Sequence, residues 1–188
     1  MAFKLKSKEE ILKEIAFIKA AQKDPAKFGI LYEKYHHDIF IFIYKRVDHK
    51  EIANDLTSSV FLKALKSLHS FQHRGVPFSA WLYRIASNET NLFFRTTKKM
   101  RAINIEKAGL NKLKEEVEDD DSSKVDDYER IVLLFEHLNQ DEVELIELRF
   151  FEECSFKEIA IIKELTEVNA KVKIHRIIKK LKSLLINT

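Results

Sequence analysis

The sequence predicts an all-α protein: two small helical domains joined by an acidic flexible linker. Three observations carry this. The 188 residues include only three Gly and two Pro, too few for a fold built on many tight turns, while Lys, Glu, Ile, Leu and Ala, all common in helices, dominate. Apolar residues recur at intervals of three and four through two long stretches. Between them the pattern dissolves into "KEEVEDDDSSKVDD", where dense charge and few large apolar side chains leave too little to bury. The expected division is a domain over 1–100, a linker over 101–127 and a second domain over 128–188. With 45% hydrophobic residues, both domains can build a core.

The elements follow in order. "SKEE" at residues 7–10 reads as a capping box opening a first helix that runs to about Gln22. Asp24-Pro25 is an N-cap with proline at the first helical position. The second helix reaches roughly Arg46, with Phe28, Leu31, Tyr35, Ile39, Phe42 and Ile43 on one face. Asp48 with Glu51 opens a third, where Ile52, Leu56, Val60, Leu65 and Leu68 recur at helical spacing. "QHRGVP" at 72–77 breaks the pattern, and "FSAWLYRIASNETNLFFRTTKK" makes a fourth helix. Beyond the linker four shorter helices are expected, at about 128–138, 140–152, 155–163 and 166–185; Asn139 with Glu142 and Ser155 with Glu158 cap the second and third of these.

Charge is sorted along the chain. The total is +3, yet the last 21 residues hold six cations and no acid, directly after a segment, 131–167, with three cations and ten acids. On the last helix Ala170, Ile174, Ile177 and Leu181 form a buried stripe, and Asn169, Lys173, Arg176 and Lys180 repeat that spacing one residue earlier on an exposed one. "SFKEIAII" is a short capped helix, "KELT" a turn, and Thr166 the next N-cap. Two short helices, the second basic on its outer face, offer a recognition helix to a major groove. Lys171 adds to the cations that neutralise phosphates, and Asn169 can read an adenine edge. Glu164 stands where such turns often place glycine. An ordinary amphipathic helix with a solvated basic face has the same pattern.

A second polar stripe, Arg84, Asn88, Asn91 and Arg95, runs opposite Leu82, Ile85, Ala86 and Phe93, and Lys98, Lys99 and Arg101 continue the basic character. Cations beside aromatics suit single-stranded nucleic acid, since any base can stack on a ring while the backbone follows the charge. Trp81 and most of the nearby Phe residues are expected in the core, because aromatics dominate helical cores.

Other classes find little support. No catalytic constellation, glycine-rich phosphate loop, cofactor motif or metal site is read: His36-His37 and the His69/His73 pair lack the three or four convergent ligands zinc requires. The single Cys154 cannot form an internal disulfide and is expected to be semi-buried. No apolar run reaches the length of a membrane span, and no signal-peptide core opens the chain. A cytoplasmic protein is expected.

Two blocks together resemble a known family. Residues 28–95, with "DLT", "VF" and "AWLYRIASN" as their most recognisable parts, resemble region two of bacterial sigma factors of the extracytoplasmic-function subfamily. Residues 138–181, "LNQDEVELIELRFFEECSFKEIA…VKIHRIIKKL", resemble region four. The resemblance implies a protein that binds core RNA polymerase, directs it to promoter DNA and helps melt it. It places Asp55, Leu56, Ser58, Ser59 and Phe61 against the polymerase clamp helices. It assigns single-stranded minus-ten DNA to Arg84, Asn88, Asn91 and Arg95 with the loop at 70–77, and the upstream duplex element to Asn169, Lys171, Lys173, Arg176 and Lys180. It also implies an anti-sigma partner. Two other classes stand beside it: a stand-alone helix-turn-helix regulator whose N-terminal domain dimerises or senses a ligand, and a helical interaction protein with no nucleic-acid role.

Overall fold

The structure is a computed structural model that describes residues 8–73, 77–97, 107–117 and 133–186; these are helices and connecting turns, with no strand among them. They fall into two compact units, one within residues 4–104 and one within 105–188.

The N-terminal unit comprises α1 (Lys8–Lys23), α2 (Gly29–Val47), α3 (Lys50–Ser67) and α4 (Phe78–Thr97), with short 3-10 turns at Pro25–Phe28 and Leu68–Ser70. Helices α2, α3 and α4 pack on one another, and α1 lies against α2 and the second 3-10 turn. The expected face of α2 is the core: Phe28, Leu31, Tyr35, Ile39, Phe42 and Ile43 are all buried. Asp24 caps the first turn by accepting from the Ala26 N–H, and Pro25 follows it where a missing donor costs nothing. Ser7 of the expected capping box lies outside the described residues.

Two expectations are corrected here. Asp48 does not open α3; it ends α2 in the left-handed region (φ 48°), its N–H donating to the Tyr44 carbonyl, and His49 is the N-cap of α3. On α3 the residues facing the core are Ala53, Thr57, Val60, Phe61 and Ala64, while Ile52, Leu56 and Leu65 are only half-buried. Small side chains at Ala53 and Ala64 let α3 lie close to its neighbours, which a count of large apolar residues overlooks.

The C-terminal unit comprises α5 (Lys107–Val117), a 3-10 turn at Phe135–His137, α6 (Gln140–Ile146), a π turn at Glu147–Phe151, α7 (Phe156–Ile162) and α8 (Glu167–Ile186). Both capping boxes form: Asn139 with Glu142 on α6 and Ser155 with Glu158 on α7. The stripe Ala170, Ile174, Ile177 and Leu181 is buried against the rest of the unit. Residues 128–132 of the expected first helix lie outside the described residues.

The chain between the two expected domains differs from a structureless tether. Residues 107–117 form α5, which packs on the π turn and on α8 through Leu110, Leu113 and Val117, each no more than 4% exposed. Those three recur at i, i+3 and i+7, one helical face. Lys112 pairs with Glu153, and Gly109 lies so close to the Phe151 ring that a methyl there would overlap it. Residues 118–127 lie outside the described residues. The single helix expected over 140–152 is likewise divided: at Glu147 the hydrogen bonding widens to a π turn, which brings Phe150 and Phe151 into the core together.

Candidate nucleic-acid interface

The helix-turn-helix begins with α7. Its end is a Schellman motif: the Leu165 N–H donates to the Ala160 carbonyl (2.7 Å) and the Glu164 N–H to that of Ile161 (3.4 Å). Glu164 takes the left-handed conformation this motif demands, with φ 55°. The position usually given to glycine therefore has a glycine's backbone but carries a side chain. Thr166 then caps α8, its hydroxyl accepting from the Asn169 N–H at 3.2 Å.

Helix α8 presents Asn169, Lys171, Lys173 and Arg176 to solvent. Lys180, expected on the same stripe, is half-buried and donates to Glu142 at 2.9 Å, which ties α8 to the first turn of α6. Burial raises the Glu142 pKa, but the Lys180 hydrogen bond, the Asn139 N–H and the Lys180 charge outweigh it and hold the carboxyl below the ordinary glutamate value. Lys173 and Arg176 line a cleft of about 550 Å³ whose other wall includes Asn139, Asp141 and Glu142. The acids noted beside the basic helix thus flank its inner edge. Sequence reasoning missed two residues of the outer face: Val168 is 70% exposed and Val172 40%. They lie one turn apart, and an apolar side chain facing a groove can meet a thymine methyl.

Behind this face Lys163 is held by Asp141 (3.1 Å) and the buried Glu144 (2.7 Å), a link between α6 and the turn.

In the N-terminal unit, α4 carries the second stripe. Asn88 and Arg95 are exposed, and Arg84 and Asn91 half-buried. Glu89 on the same helix is engaged by Lys63 of α3, so the acid within the stripe is neutralised by its neighbour. Phe78, Tyr83 and Phe94 belong to the core, as expected of most of these rings, but Phe71, Trp81 and Phe93 are half-buried. The rings of Phe71, Phe78 and Trp81 cluster with centroids 5.0–5.3 Å apart where the loop at 70–77 joins α4. Lys98, Lys99 and Arg101, and residues 74–76 of the loop, lie outside the described residues.

On α3, Asp55 and Ser58 are exposed and Leu56 and Ser59 half-buried. Phe61 is 4% exposed and packs edge-on against Phe28 and Tyr32, so it supports this surface from beneath. The apolar residue that reaches solvent is Leu62, 53% exposed. His36 stacks on Phe61, and Cys154 is fully buried rather than semi-buried. Among the described residues no helix is long and apolar enough to cross a membrane.

Comparison with known proteins joins the two surfaces. Residues 31–100 match sigma-70 region 2, and residues 128–181 match sigma-70 region 4. The chain belongs to the RNA polymerase sigma factors of the extracytoplasmic-function (ECF) subfamily. It is 32% identical over 161 residues to the ECF RNA polymerase sigma factor BldN of Streptomyces coelicolor, a match covering 84% of this chain and 60% of that one. To the RNA polymerase sigma factor YlaC of Bacillus subtilis it is 31% identical, over 70% of this chain and 76% of that protein. To the B. subtilis ECF sigma factor SigM it is 26% identical, over 82% and 92% respectively. The fold is similar to that of CnrH in its complex with the cytosolic domain of CnrY: TM-score 0.58 and 19% identity, covering 93% of this chain and 97% of that one.

Proposed function

We propose that this protein binds core RNA polymerase in the cytoplasm, directs it to promoter DNA and helps open the duplex. One observation carries the reading: regions 2 and 4 occur in one chain in that order, each matched within its own helical unit. Asn169, Lys171, Lys173 and Arg176 of α8 contact the upstream element as duplex, with Lys180 bracing the helix through Glu142. Arg84, Asn88, Asn91 and Arg95 of α4, with Trp81 at its start, hold the separated minus-ten strand. Asp55, Leu56, Ser58 and Ser59, with Leu62 beside them and Phe61 underneath, dock on the polymerase clamp helices.

The division of labour follows from energetics. Separating strands costs about 1–2 kcal/mol per base-pair step in lost stacking, which a chain of net charge +3 would not supply alone. Polymerase provides the anchorage, and the two units hold different forms of one DNA. An anti-sigma protein that covers these surfaces would keep the factor silent, as in the subfamily at large.

The deciding experiment is run-off transcription with purified core polymerase and a promoter library. Initiation from a defined subset of promoters is expected. Binding of the upstream duplex by holoenzyme should weaken steeply with salt, and Lys173→Ala should lower that slope by about one unit. Asn88→Ala should leave upstream binding intact and slow opening. No association with polymerase, or no promoter preference, would refute the reading.

A further inference from the structure

We propose that α1 is a brace that fixes Leu68, Phe71 and Phe78, the residues flanking the connection from α3 to α4, for capture of a single strand, with Gln22 and Glu14 as positioning residues. This rests on the assignment of that loop and α4 to the minus-ten strand.

The amide of Gln22 donates to two main-chain carbonyls, Leu68 and Phe71, each at 2.9 Å. Both acceptors lie where the chain leaves α3 and enters the loop. A glutamine amide has two donor hydrogens, and both are committed here, so side chain and backbone fix each other. On the far side of the loop Glu14 accepts from the Phe78 N–H at 3.4 Å. That N–H is one of the donors at the start of α4 that has no partner within the helix, and a carboxylate is favoured there. Glu14 is itself held from α2 by the Tyr35 hydroxyl and by Lys34 at 3.0 Å, and it is 1% exposed. Burial, and then the hydrogen bond and charge of Glu14, hold the Tyr35 phenol far above its ordinary range, so the hydroxyl keeps the proton it donates.

One helix therefore grips both ends of the loop, from points eight residues or about 12 Å apart along its axis. The ends are closed on each other as well: Phe71 meets Phe78 edge-on at 5.1 Å, and Trp81 lies against both. Glu14 is buried and the Gln22 amide is committed to main-chain carbonyls, so their effect passes through the backbone they hold. A buried carboxylate is a costly fastener where only helix packing is needed. Its use on a main-chain donor at the loop's edge fits a demand for geometry. Pinned ends reduce the ordering that a captured strand would otherwise have to impose. The segment matching sigma-70 region 2 begins at residue 31, so Gln22 and Glu14 lie outside it.

The test uses holoenzyme reconstituted with core polymerase. The probe is a short labelled single strand copied from the non-template minus-ten region of a promoter selected by run-off transcription. Gln22→Met keeps the length and removes both donors. It should weaken capture of the strand about tenfold, the loss expected of two modest hydrogen bonds, and shift the emission of Trp81, the only tryptophan. Polymerase affinity and binding of the upstream duplex should not change, which a general loss of fold would not spare. Glu14→Gln keeps an acceptor for the Phe78 N–H and should retain most of the capture that Glu14→Leu loses; this pair decides the matter should Gln22→Met fail to fold. Capture by Gln22→Met within about twofold of wild type, with unchanged Trp81 emission, would overturn the brace, as would equal capture by the two Glu14 variants. Failure of wild-type holoenzyme to capture the strand would overturn the minus-ten assignment itself, and the brace with it.

Discussion

Gly109→Ala tests whether α5 is part of the C-terminal unit. A methyl at this position would overlap the Phe151 ring and come within 2.9 Å of the Phe150 carbonyl oxygen. Phe151 is 6% exposed and stacks on Phe135, and the carbonyl belongs to the π turn, so neither can retreat without disturbing the core. Forcing a methyl into such a site costs about 1–3 kcal/mol, against which alanine in place of glycine returns up to about 1 kcal/mol of helix propensity. Peeling α5 away would relieve the clash at the cost of exposing Leu110, Leu113 and Val117, and α5 is the element at the edge of the overlap that can move without opening the rest of the core. In hydrogen exchange the variant should lose protection across 107–117 while α6, α7 and α8 keep most of theirs. Thermal unfolding of the unit should fall by a few degrees, at about 4–8 °C per kcal/mol for a domain of this size. Phe151→Leu added to Gly109→Ala should restore part of the protection. Unchanged exchange across 107–117 in Gly109→Ala would refute the close approach and, with it, the docking of α5.

Three further outcomes are expected. Glu164→Gly should raise the melting temperature, since a left-handed conformation costs a side-chain-bearing residue about 1–2 kcal/mol and glycine almost nothing, less what glycine gains in the unfolded chain; a lower melting temperature would contradict it. Glu142 has a folded pKa below its unfolded value, so its contribution is complete above the unfolded pKa and fades as pH falls through the folded one. Lys180→Met should therefore flatten the acid side of the stability curve measured by denaturant titration across mildly acidic pH, and an unaltered curve would deny the link. Lys163→Met removes the cation that Asp141 and the buried Glu144 share, so in the same titration it should destabilise the C-terminal unit by more than the roughly 1 kcal/mol of an exposed pair, and a smaller loss would contradict the burial.

Much of the architecture was legible because local signals agree. Asp24-Pro25, Asn139 with Glu142, Ser155 with Glu158 and Thr166 each have side chains that can satisfy an orphan N–H, and each does so. The buried stripe of α8 follows from spacing alone. Three features were not legible, for identifiable reasons. Helix α5 hides in a charged segment because its apolar face is only three residues long. The π turn differs from an α-helix by a hydrogen-bond register that residue types do not encode. Gln22 and Glu14 look like any polar residue on an amphipathic helix; their partners are backbone groups 46 and 64 positions away, and main-chain atoms leave no mark in a sequence. At Phe61 the resemblance names a residue but not its exposure: the ring is 4% exposed while Leu62 beside it is 53% exposed.

The sealed Cys154 makes the chain convenient for spectroscopy. Its thiol has 0% exposure and sits 4.0 Å from the Glu152 carbonyl oxygen, so maleimide dyes should leave the native protein unlabelled. A cysteine introduced on an exposed helical position of either unit would then be the sole reactive thiol, and a donor and acceptor placed one on each could follow the distance between the units as polymerase and DNA engage.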